Sequence, residues 1–303
     1  MRKIYSLLLI ALTLVVGVGC KATKQQPQEL SFTQLMEQTA PEQIEAWYNG
    51  ASRLDEEFTS AHAAELCKQK KLLVFDLDGT LSNHRSPLPE ESRALLDALG
   101  ERYHLAMCGA GNAPRIYKQM GNYPIDIVGN YGMQHAKVVN GELEITKQVI
   151  CNVDLDFFRE NTDYLRQKYG YTEYTGESLE LHKSGMVTFA LLGTKAKKED
   201  KIVFDPDRAK RRVMYPEVLE IFKDYTVFIG GSTSFDIVGK QYNKYDATME
   251  YAKMHGYTKE EVLFIGDDMG DGGGDSHIRL GGMDYIHVLD YTKVAEMMAF
   301  LLK

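Results

Sequence analysis

The chain has 303 residues, 44% of them hydrophobic and 26% charged, with a net charge of −8. This is the composition of a globular protein long enough for one large domain or two smaller ones, and the negative charge argues against nucleic acid as a partner. The cysteines form no CxxC pair and the histidines no HxxxH or HExxH pattern, which argues against a zinc site. We also expect no structural disulfide.

The first twenty residues differ from the rest of the chain. Arg2 and Lys3 precede an apolar run from Ile4 to Val18, which ends at Gly19 and Cys20 before the sequence turns polar. This order is typical of an export signal, and it resembles a bacterial lipoprotein signal in which Cys20 is lipidated. An uncleaved anchor, a cleaved signal and a buried helix are the alternatives. We therefore expect a membrane-tethered lipoprotein of the cell envelope, facing away from the cytoplasm, with a cytoplasmic location as the alternative.

Residues 21–70 are interpreted as a tether and a helical lead-in. Beyond them strands and helices alternate, which predicts a doubly wound parallel-sheet α/β core over residues 71–149 and 239–303. The function of such a core lies at the carboxyl ends of its strands. The predicted elements are strand 72–75, helix 90–100, strand 104–107, helix 113–120, strand 125–128, a hairpin around Asn140-Gly141, helix 244–255, strand 262–265, and a final strand and helix.

Residues 150–238 have a different pattern, in which a helix followed by two strands occurs twice. This repeat predicts an inserted α+β cap domain. The two basic runs inside it, 195–198 and 208–212, are interpreted as solvated surface. The predicted elements after the first helix are strands 179–182 and 186–192, a charged link, helix 215–223, and strands 226–229 and 234–238.

The first chemical signal follows the apolar run 72–75. Asp76 and Asp78 lie two residues apart on the turn that leaves this strand, so both can face one cleft. One carboxylate can then attack phosphorus while the other moves the proton of the leaving oxygen. Gly79 permits a tight turn and Thr80 can hydrogen-bond within it. The alternative is an ordinary strand end, where Asp-Gly is common.

A second acidic cluster follows the apolar strand that ends at residue 265. Asp267, Asp268 and Asp275 offer hard oxygen ligands of the kind that suit Mg²⁺. A calcium loop of the EF-hand type is excluded because Met269 and Ile278 occupy ligand positions. A P-loop is excluded because no Gly-Lys-Ser/Thr sequence follows.

Lys244 begins a predicted helix between the two acidic clusters. A lysine there is usually just solvated, but beside clustered carboxylates it can hold a phosphoryl oxygen and offset their charge.

The order of these parts resembles the haloacid dehalogenase (HAD) superfamily of phosphotransferases, with an insertion like the type IIB cap. Within that superfamily the sequence is most similar to the eukaryotic-type phosphomannomutase family. The matching residues are Asp76-Leu77-Asp78-Gly79-Thr80, Lys244, Gly266-Asp267-Asp268 and Asp275, and further similar segments are 123–132, 184–186, 231–236 and 272–275.

The resemblance implies a role for each of these residues. Asp76 would be the nucleophile that forms an aspartyl-phosphate, Asp78 the general acid/base, and Lys244 a catalytic and phosphate-binding residue. Mg²⁺ would be the cofactor, held by Asp76, the Asp78 backbone carbonyl and Asp267, with Asp275 supporting the loop. Ser234 and Asp236 would contact sugar hydroxyls or the distal phosphate of the substrate.

Two departures from the family pattern affect phosphate binding. Residues 108–112 lack the family's Ser or Thr hydroxyl, so phosphate would rely on the backbone N–H groups of Gly109, Ala110 and Gly111 at a helix start. In the cap, Lys183 and Thr194 replace family arginines and Ser184 replaces an asparagine, although Lys183 and Ser184 stay in the expected substrate site. Lysine and threonine cannot reproduce the bidentate grip of arginine on a distal phosphate.

These features together predict a Mg²⁺-dependent phosphatase that acts on a sugar phosphate or a similar small phosphomonoester. Export favours hydrolysis, and a mutase must exclude water from its aspartyl-phosphate. A phosphomannomutase-like phosphohexomutase and a catalytically weak envelope binding protein are the alternatives.

Overall fold

The computed structural model describes residues 67–206 and 208–303, which belong to a unit of the chain spanning Ser31–Lys303. The predicted export segment, Cys20 and nearly all of the predicted lead-in lie outside the described residues. Within the described ranges, no helix is both long and apolar enough to cross a membrane. The lipid anchor and the envelope location stay predictions.

The strands and helices are numbered in chain order. The strands are β1 (Leu72–Phe75), β2 (His104–Cys108), β3 (Asp126–Gly129), β4 (Gln134–Val139), β5 (Glu142–Gln148), β6 (Leu179–Leu181), β7 (Val187–Ala190), β8 (Tyr225–Phe228), β9 (Ser234–Gly239), β10 (Val262–Gly266) and β11 (Tyr285–His287). The fully described α-helices are α1 (Glu90–Gly100), α2 (Ala113–Gln119), α3 (Leu155–Tyr169), α4 (Lys198–Phe204), α5 (Ala209–Ile221), α6 (Lys244–Met254), α7 (Ser276–Leu280) and α8 (Val294–Met297).

The larger sheet has seven strands in the order β11-β10-β1-β2-β3-β4-β5. The strands from β11 to β3 are parallel, and β4 and β5 form an antiparallel hairpin at one edge. Asn140 and Gly141 both have positive φ in this hairpin, as the Asn-Gly turn predicts. The predicted α/β core is confirmed.

Both faces of this sheet are covered, which explains why its central strands are continuous apolar runs. In β1, Leu73 and Phe75 pack with Leu96 of α1 on one face. Leu72 and Val74 pack with Tyr251 of α6 on the other. The carboxyl ends of β1 and β10 lie side by side because these strands pair in parallel register, Phe75 beside Ile265.

The smaller sheet is antiparallel, in the order β6-β7-β9-β8, and residues of α3 and α5 pack against it. Two elements differ from the sequence prediction. The predicted charged link contains α4, and α5 begins at residue 209 rather than 215. The early start is stabilised by Asp205, whose carboxylate accepts hydrogen bonds from the N–H groups of Lys210 and Arg211.

Candidate active site

Four polar side chains meet where β1 and β10 end. Asp76 follows β1, and its N–H donates to the carbonyl of Ile265 at 2.8 Å, which ties the two strand ends together. Oxygens of Asp76, Asp267 and Asp275 lie within 4.8 Å of one another. Three carboxylates that the sequence predicts around the Mg²⁺ site are therefore brought together.

Lys244, the first residue of α6, is the fourth member of this group. Its Nζ donates to Asp76 Oδ1 at 2.6 Å and to Asp275 Oδ1 at 2.7 Å, and the residue is only 3% exposed. Burial alone would lower the pKa of Lys244, but Asp275 and Asp76 outweigh it and hold the pKa well above its ordinary value. Lys244 is therefore a fixed positive charge beside the predicted nucleophile.

The carboxylates still outnumber the positive charge. Burial, together with the neighbouring Asp275 and Asp78, raises the pKa of Asp76 to about 7 despite the contact with Lys244. Burial and the charges of Asp76, Asp275 and Asp268 raise the pKa of Asp267 to about 9. Crowded oxygen ligands with too little compensating charge fit a divalent cation such as Mg²⁺. Asp76 and Asp267 would hold it, and the bound ion would offset negative charge on a phosphoryl group.

Asp275 has a different position from the other two. It is fully buried, its Oδ1 accepts from Lys244, and its Oδ2 accepts from the N–H of Asp268 at 3.0 Å. Both oxygens are thus engaged by the protein. This arrangement matches the expected support of the loop better than direct ligation of a metal.

Gly79 is required by the close approach of Asp267. Its φ is +93°, and a Cβ at this position would lie 2.3 Å from Asp267 Oδ2. Thr80 Oγ1 donates to Asp267 Oδ1 at 3.1 Å. The Asp-Gly-Thr sequence therefore makes space for the second acidic loop and orients it.

Asp78 is held by three donors. Its Oδ1 accepts from the N–H of Arg85 and from Gln119 Nε2, each at 2.7 Å, and its Oδ2 accepts from the Arg115 guanidinium at 3.3 Å. Burial opposes ionisation of Asp78, but Arg115, Gln119 and the Arg85 N–H outweigh it and lower its pKa. In this arrangement the carboxylate is ready to accept a proton rather than to donate one.

The predicted phosphate-binding segment needs one correction. The N–H of Gly109 donates to the carbonyl of Val128 at 2.9 Å, because β2 keeps its pairing with β3 to this point. Gly109 therefore has no free amide for phosphate. Among the described residues, no acceptor is recorded for the N–H groups of Ala110 and Gly111. The predicted phosphate-binding N–H groups are therefore those of Ala110 and Gly111 alone.

Residues 73–272 match the family model of haloacid dehalogenase-like hydrolases. The chain belongs to this family. Phosphomannomutase of Encephalitozoon cuniculi is 26% identical over 221 residues, covering 69% of this chain and 84% of that protein.

Solved structures share the fold of this haloacid dehalogenase-like hydrolase. An IMP-nucleotidase of Plasmodium falciparum has a TM-score of 0.57 at 15% identity, with 86% of this chain and 71% of that chain covered. The C-terminal domain of a trehalose-6-phosphate phosphatase from C. albicans has a TM-score of 0.53 at 16% identity, with coverages of 80% and 96%. The predicted family and its phosphohydrolase or phosphomutase type are confirmed.

The predicted cap residues divide into two groups. Lys183 and Ser184 line a cleft of about 470 Å³, and the Ser184 hydroxyl accepts from Asn130 Nδ2 at 2.7 Å. Ser234 and Asp236, predicted to contact substrate, are not among the residues that line this cleft. Ser234 Oγ donates to the carbonyl of Gly230 at 3.0 Å, closing a turn.

Asp236 is held inside the protein. It is 8% exposed, and it accepts hydrogen bonds from Thr188 Oγ1 at 2.9 Å and from the Tyr131 hydroxyl at 3.4 Å. Tyr131 belongs to the core and also stacks on Phe228 of the cap, with ring centroids 4.2 Å apart. In this arrangement Asp236 joins the cap to the core.

The basic run 208–212 was interpreted as solvated, which is wrong for Arg211 and Arg208, although Lys210 and Arg212 are exposed. Arg211 is 1% exposed, pairs with Asp205 at 2.7 Å and donates to the carbonyls of Gly230 and Ser234. Arg208 forms an ion pair with Asp268, next to the metal-ligand candidate Asp267. The available signal was the run itself, in which five residues contain three arginines and a lysine.

We expect activity to require Mg²⁺ and to disappear in excess chelator while the far-UV circular dichroism barely changes. The candidate ligands lie on loops after β1 and β10, and the apolar core beneath them does not depend on the ion. Activity and spectrum should be measured on one sample before and after chelation, with Mg²⁺ added back. Global unfolding on chelation would make the metal structural and contradict this expectation.

Proposed function

We propose that this enzyme is a Mg²⁺-dependent phosphatase that hydrolyses a sugar phosphate or a similar small phosphomonoester through an aspartyl-phosphate on Asp76. The observation that carries the proposal is the contact of Asp76 Oδ1 with Lys244 Nζ at 2.6 Å, beside Asp267. A buried carboxylate held by a fixed lysine charge is positioned to attack an incoming phosphorus atom.

The reaction has two steps. In the first, an Asp76 oxygen forms a bond to phosphorus, the ester P–O bond breaks, and the leaving oxygen takes a proton from Asp78. In the second, Asp78 accepts a proton from water as the water oxygen attacks phosphorus and frees Asp76. The ionised Asp78 described above fits the second step. The first step requires a protonated Asp78, so its contact with Arg115 must break when substrate binds.

The cleft lined by Lys183 and Ser184 supports a sugar phosphate as the substrate class. It begins at Asn112, next to Gly111, and four amide side chains line it together with Lys183: Asn112, Asn130, Gln134 and Gln148. Gln134 and Gln148 already pair with each other and with backbone groups, whereas Asn130 Oδ1 is buried without a hydrogen-bond partner among the described residues. An amide oxygen can accept a hydrogen bond from a hydroxyl group of a polyol. Lys183 would supply a positive charge at the cap side.

The cap supports hydrolysis over phosphoryl transfer to a second sugar. Thr194, which stands at a family arginine, accepts from the N–H of Glu177 at 3.0 Å and so joins the segment before β6 to the segment after β7. Lys183 presents a point charge without a bidentate fork. The loss of one charged hydrogen bond weakens retention of a distal phosphate by about 1.5–3 kcal/mol, roughly 10- to 100-fold. A bisphosphate intermediate would therefore leave before it could reorient.

A phosphohexomutase is the second candidate, because the phosphomannomutase of E. cuniculi aligns with this chain over 84% of its length. A catalytically weak binding protein is disfavoured because Asp76, Lys244 and Asp267 meet at one edge of the sheet. The envelope location, with a tether at Cys20, is also part of the proposal and rests on the N-terminal sequence alone.

The test uses the purified full-length protein with Mg²⁺ and a panel of sugar phosphates, scoring free phosphate and isomerised product together. We expect free phosphate to dominate, and added hexose bisphosphate not to start isomerisation. The double variant Lys183→Arg/Thr194→Arg should release phosphate more slowly because it retains the substrate longer, whereas the exposed control Lys197→Arg should not. Efficient interconversion of hexose 1- and 6-phosphates with little free phosphate would replace the phosphatase by the mutase.

A further inference from the structure

A second group of possible metal ligands lies away from the active site. Ligand atoms of His104, Asp126 and His255 are all within 4.8 Å of one another. His104 begins β2, Asp126 begins β3, and His255 directly follows α6. The group therefore lies at the amino-terminal edge of the parallel strands, opposite the edge that carries Asp76.

The hydrogen bonds of His255 leave one ring nitrogen available. Its Nδ1 lies 2.9 Å from the backbone carbonyl of Tyr251 and donates to it, so Nε2 keeps its lone pair. This Nε2 lies 4.0 Å from Asp126 Oδ2. A histidine fixed through one nitrogen by a carbonyl is the usual arrangement of a metal-bound imidazole. The ring is also partly exposed, so an ion can reach it from solvent.

His104 and Asp126 are linked by the Tyr251 hydroxyl. This hydroxyl donates to Asp126 Oδ2 at 2.7 Å and lies 3.0 Å from His104 Nε2. The tyrosine thus orients the carboxylate from outside the group of ligands.

A third histidine, His135, lies near this group. His135 of β4 is 3% exposed, and neither of its ring nitrogens has a hydrogen-bond partner among the described residues. Its ring centroid is 6.4 Å from that of Tyr251. Such a buried, unpaired polar group is costly unless something else, such as an ion or water, satisfies it.

We propose that His104, Asp126 and His255 form a binding site for a divalent transition-metal ion of the zinc class. Two imidazole nitrogens and one carboxylate oxygen suit Zn²⁺ and its neighbours, whereas Mg²⁺ prefers oxygen ligands. Tetrahedral coordination at about 2.0–2.1 Å places ligand atoms roughly 3.4 Å apart, so His255 Nε2 and Asp126 Oδ2, now 4.0 Å apart, would move closer on binding. A fourth position stays open for water.

The ion would tie α6 to the sheet. This helix begins at Lys244, in the active site, and His255 lies immediately beyond its other end. A metal joining His255 to His104 and Asp126 fixes that end to the first residues of β2 and β3. The ion therefore acts on the stability of the element that positions Lys244, and it takes no part in the chemistry at Asp76.

The test titrates Zn²⁺ into full-length protein kept in excess Mg²⁺, with bound zinc measured by equilibrium dialysis and elemental analysis. We expect His104→Ala and His255→Ala each to lower the affinity for one zinc ion per chain by about 100-fold or more. The loss of a ligand costs more affinity than the loss of a residue that only orients a ligand. Binding of this zinc ion should raise the thermal midpoint of the wild type but not that of the double variant His104→Ala/His255→Ala.

Two controls separate this site from others. Asp267→Asn removes one of the active-site carboxylates and should still bind this zinc ion. Lys253→Ala, on an exposed position of α6, should bind it as well. If His104→Ala fails to fold, the partly exposed His255→Ala decides the matter alone. Equal zinc binding by wild type and His255→Ala would overturn the proposal.

Discussion

Replacing Asp76 by asparagine is expected to reduce turnover by more than about a thousandfold while the protein stays folded. Asparagine is nearly isosteric with aspartate but cannot form an acyl phosphate. Burial raises the pKa of Asp76 to about 7, so the ionised carboxylate destabilises the folded protein. Asparagine carries no charge and avoids this loss of stability. Steady-state phosphate release and thermal unfolding should be measured on the same preparation.

The pH dependence of stability gives an independent readout of the same residue. The folded pKa of Asp76 lies above the ordinary value of 3.8, so the folded state binds its proton more tightly than the unfolded state does. The stability of metal-free wild type should therefore fall, relative to Asp76→Asn, as the pH rises from about 4 to about 7.

Asp271→Asn is the matched control, since Asp271 is an exposed acid of the second acidic loop. It should leave turnover near that of the wild type. Retention of more than about a thousandth of activity in Asp76→Asn would indicate direct attack by water instead of a covalent intermediate. Rapid denaturing quench followed by mass analysis should find one phosphoryl group on Asp76 in the wild type.

The sequence was sufficient to predict the parallel core and the acidic edge. Runs such as Leu72–Phe75 and Val262–Gly266 are apolar at every position because both faces of these strands are buried. Once two such strands are parallel neighbours, the residues that follow them must meet at one edge. The meeting of Asp76 with Asp267 therefore follows from the pairing of β1 with β10.

The cap arginines could not be predicted in the same way. A run of arginines is usually solvated, and Arg211 is buried only because Asp205 and the carbonyls of distant Gly230 and Ser234 surround its guanidinium. The start of α5 depends on the same Asp205. These contacts join residues far apart in sequence, so neither spacing nor composition indicates them.

The sequence also did not indicate which backbone N–H groups are taken up by strand pairing. Gly109 follows an apolar strand and looks like a free loop amide, yet pairing of β2 with β3 extends one residue further and takes its N–H. His104, Asp126 and His255 follow no ligand spacing, because three separate elements bring them together at the opposite edge. A motif search finds ligands within one element or loop, and it misses groups assembled by the sheet.

Replacing Lys244 by methionine is expected to damage both activity and stability. Methionine fills a similar volume but leaves Asp76 and Asp275 buried without their shared positive partner. Removal of one member of a buried ion pair typically costs about 3–5 kcal/mol. Turnover should fall by more than about a thousandfold because neither the nucleophile nor the phosphoryl oxygens keep a fixed cation. Urea unfolding in metal-free buffer and phosphate release with Mg²⁺ measure the two effects.

The double variant Asp76→Asn/Lys244→Met tests whether the lost stability comes from the uncompensated carboxylate. Removing the charge at Asp76 should return part of the free energy of unfolding lost in Lys244→Met, since only Asp275 then stays uncompensated. Lys253→Met, on an exposed position of the same helix, should change neither activity nor stability appreciably. If the two substitutions instead add without coupling, the loss in Lys244→Met reflects packing of α6 against the sheet. The short contact between Lys244 and Asp76 would then contribute little to the fold, and its role would be limited to the chemistry.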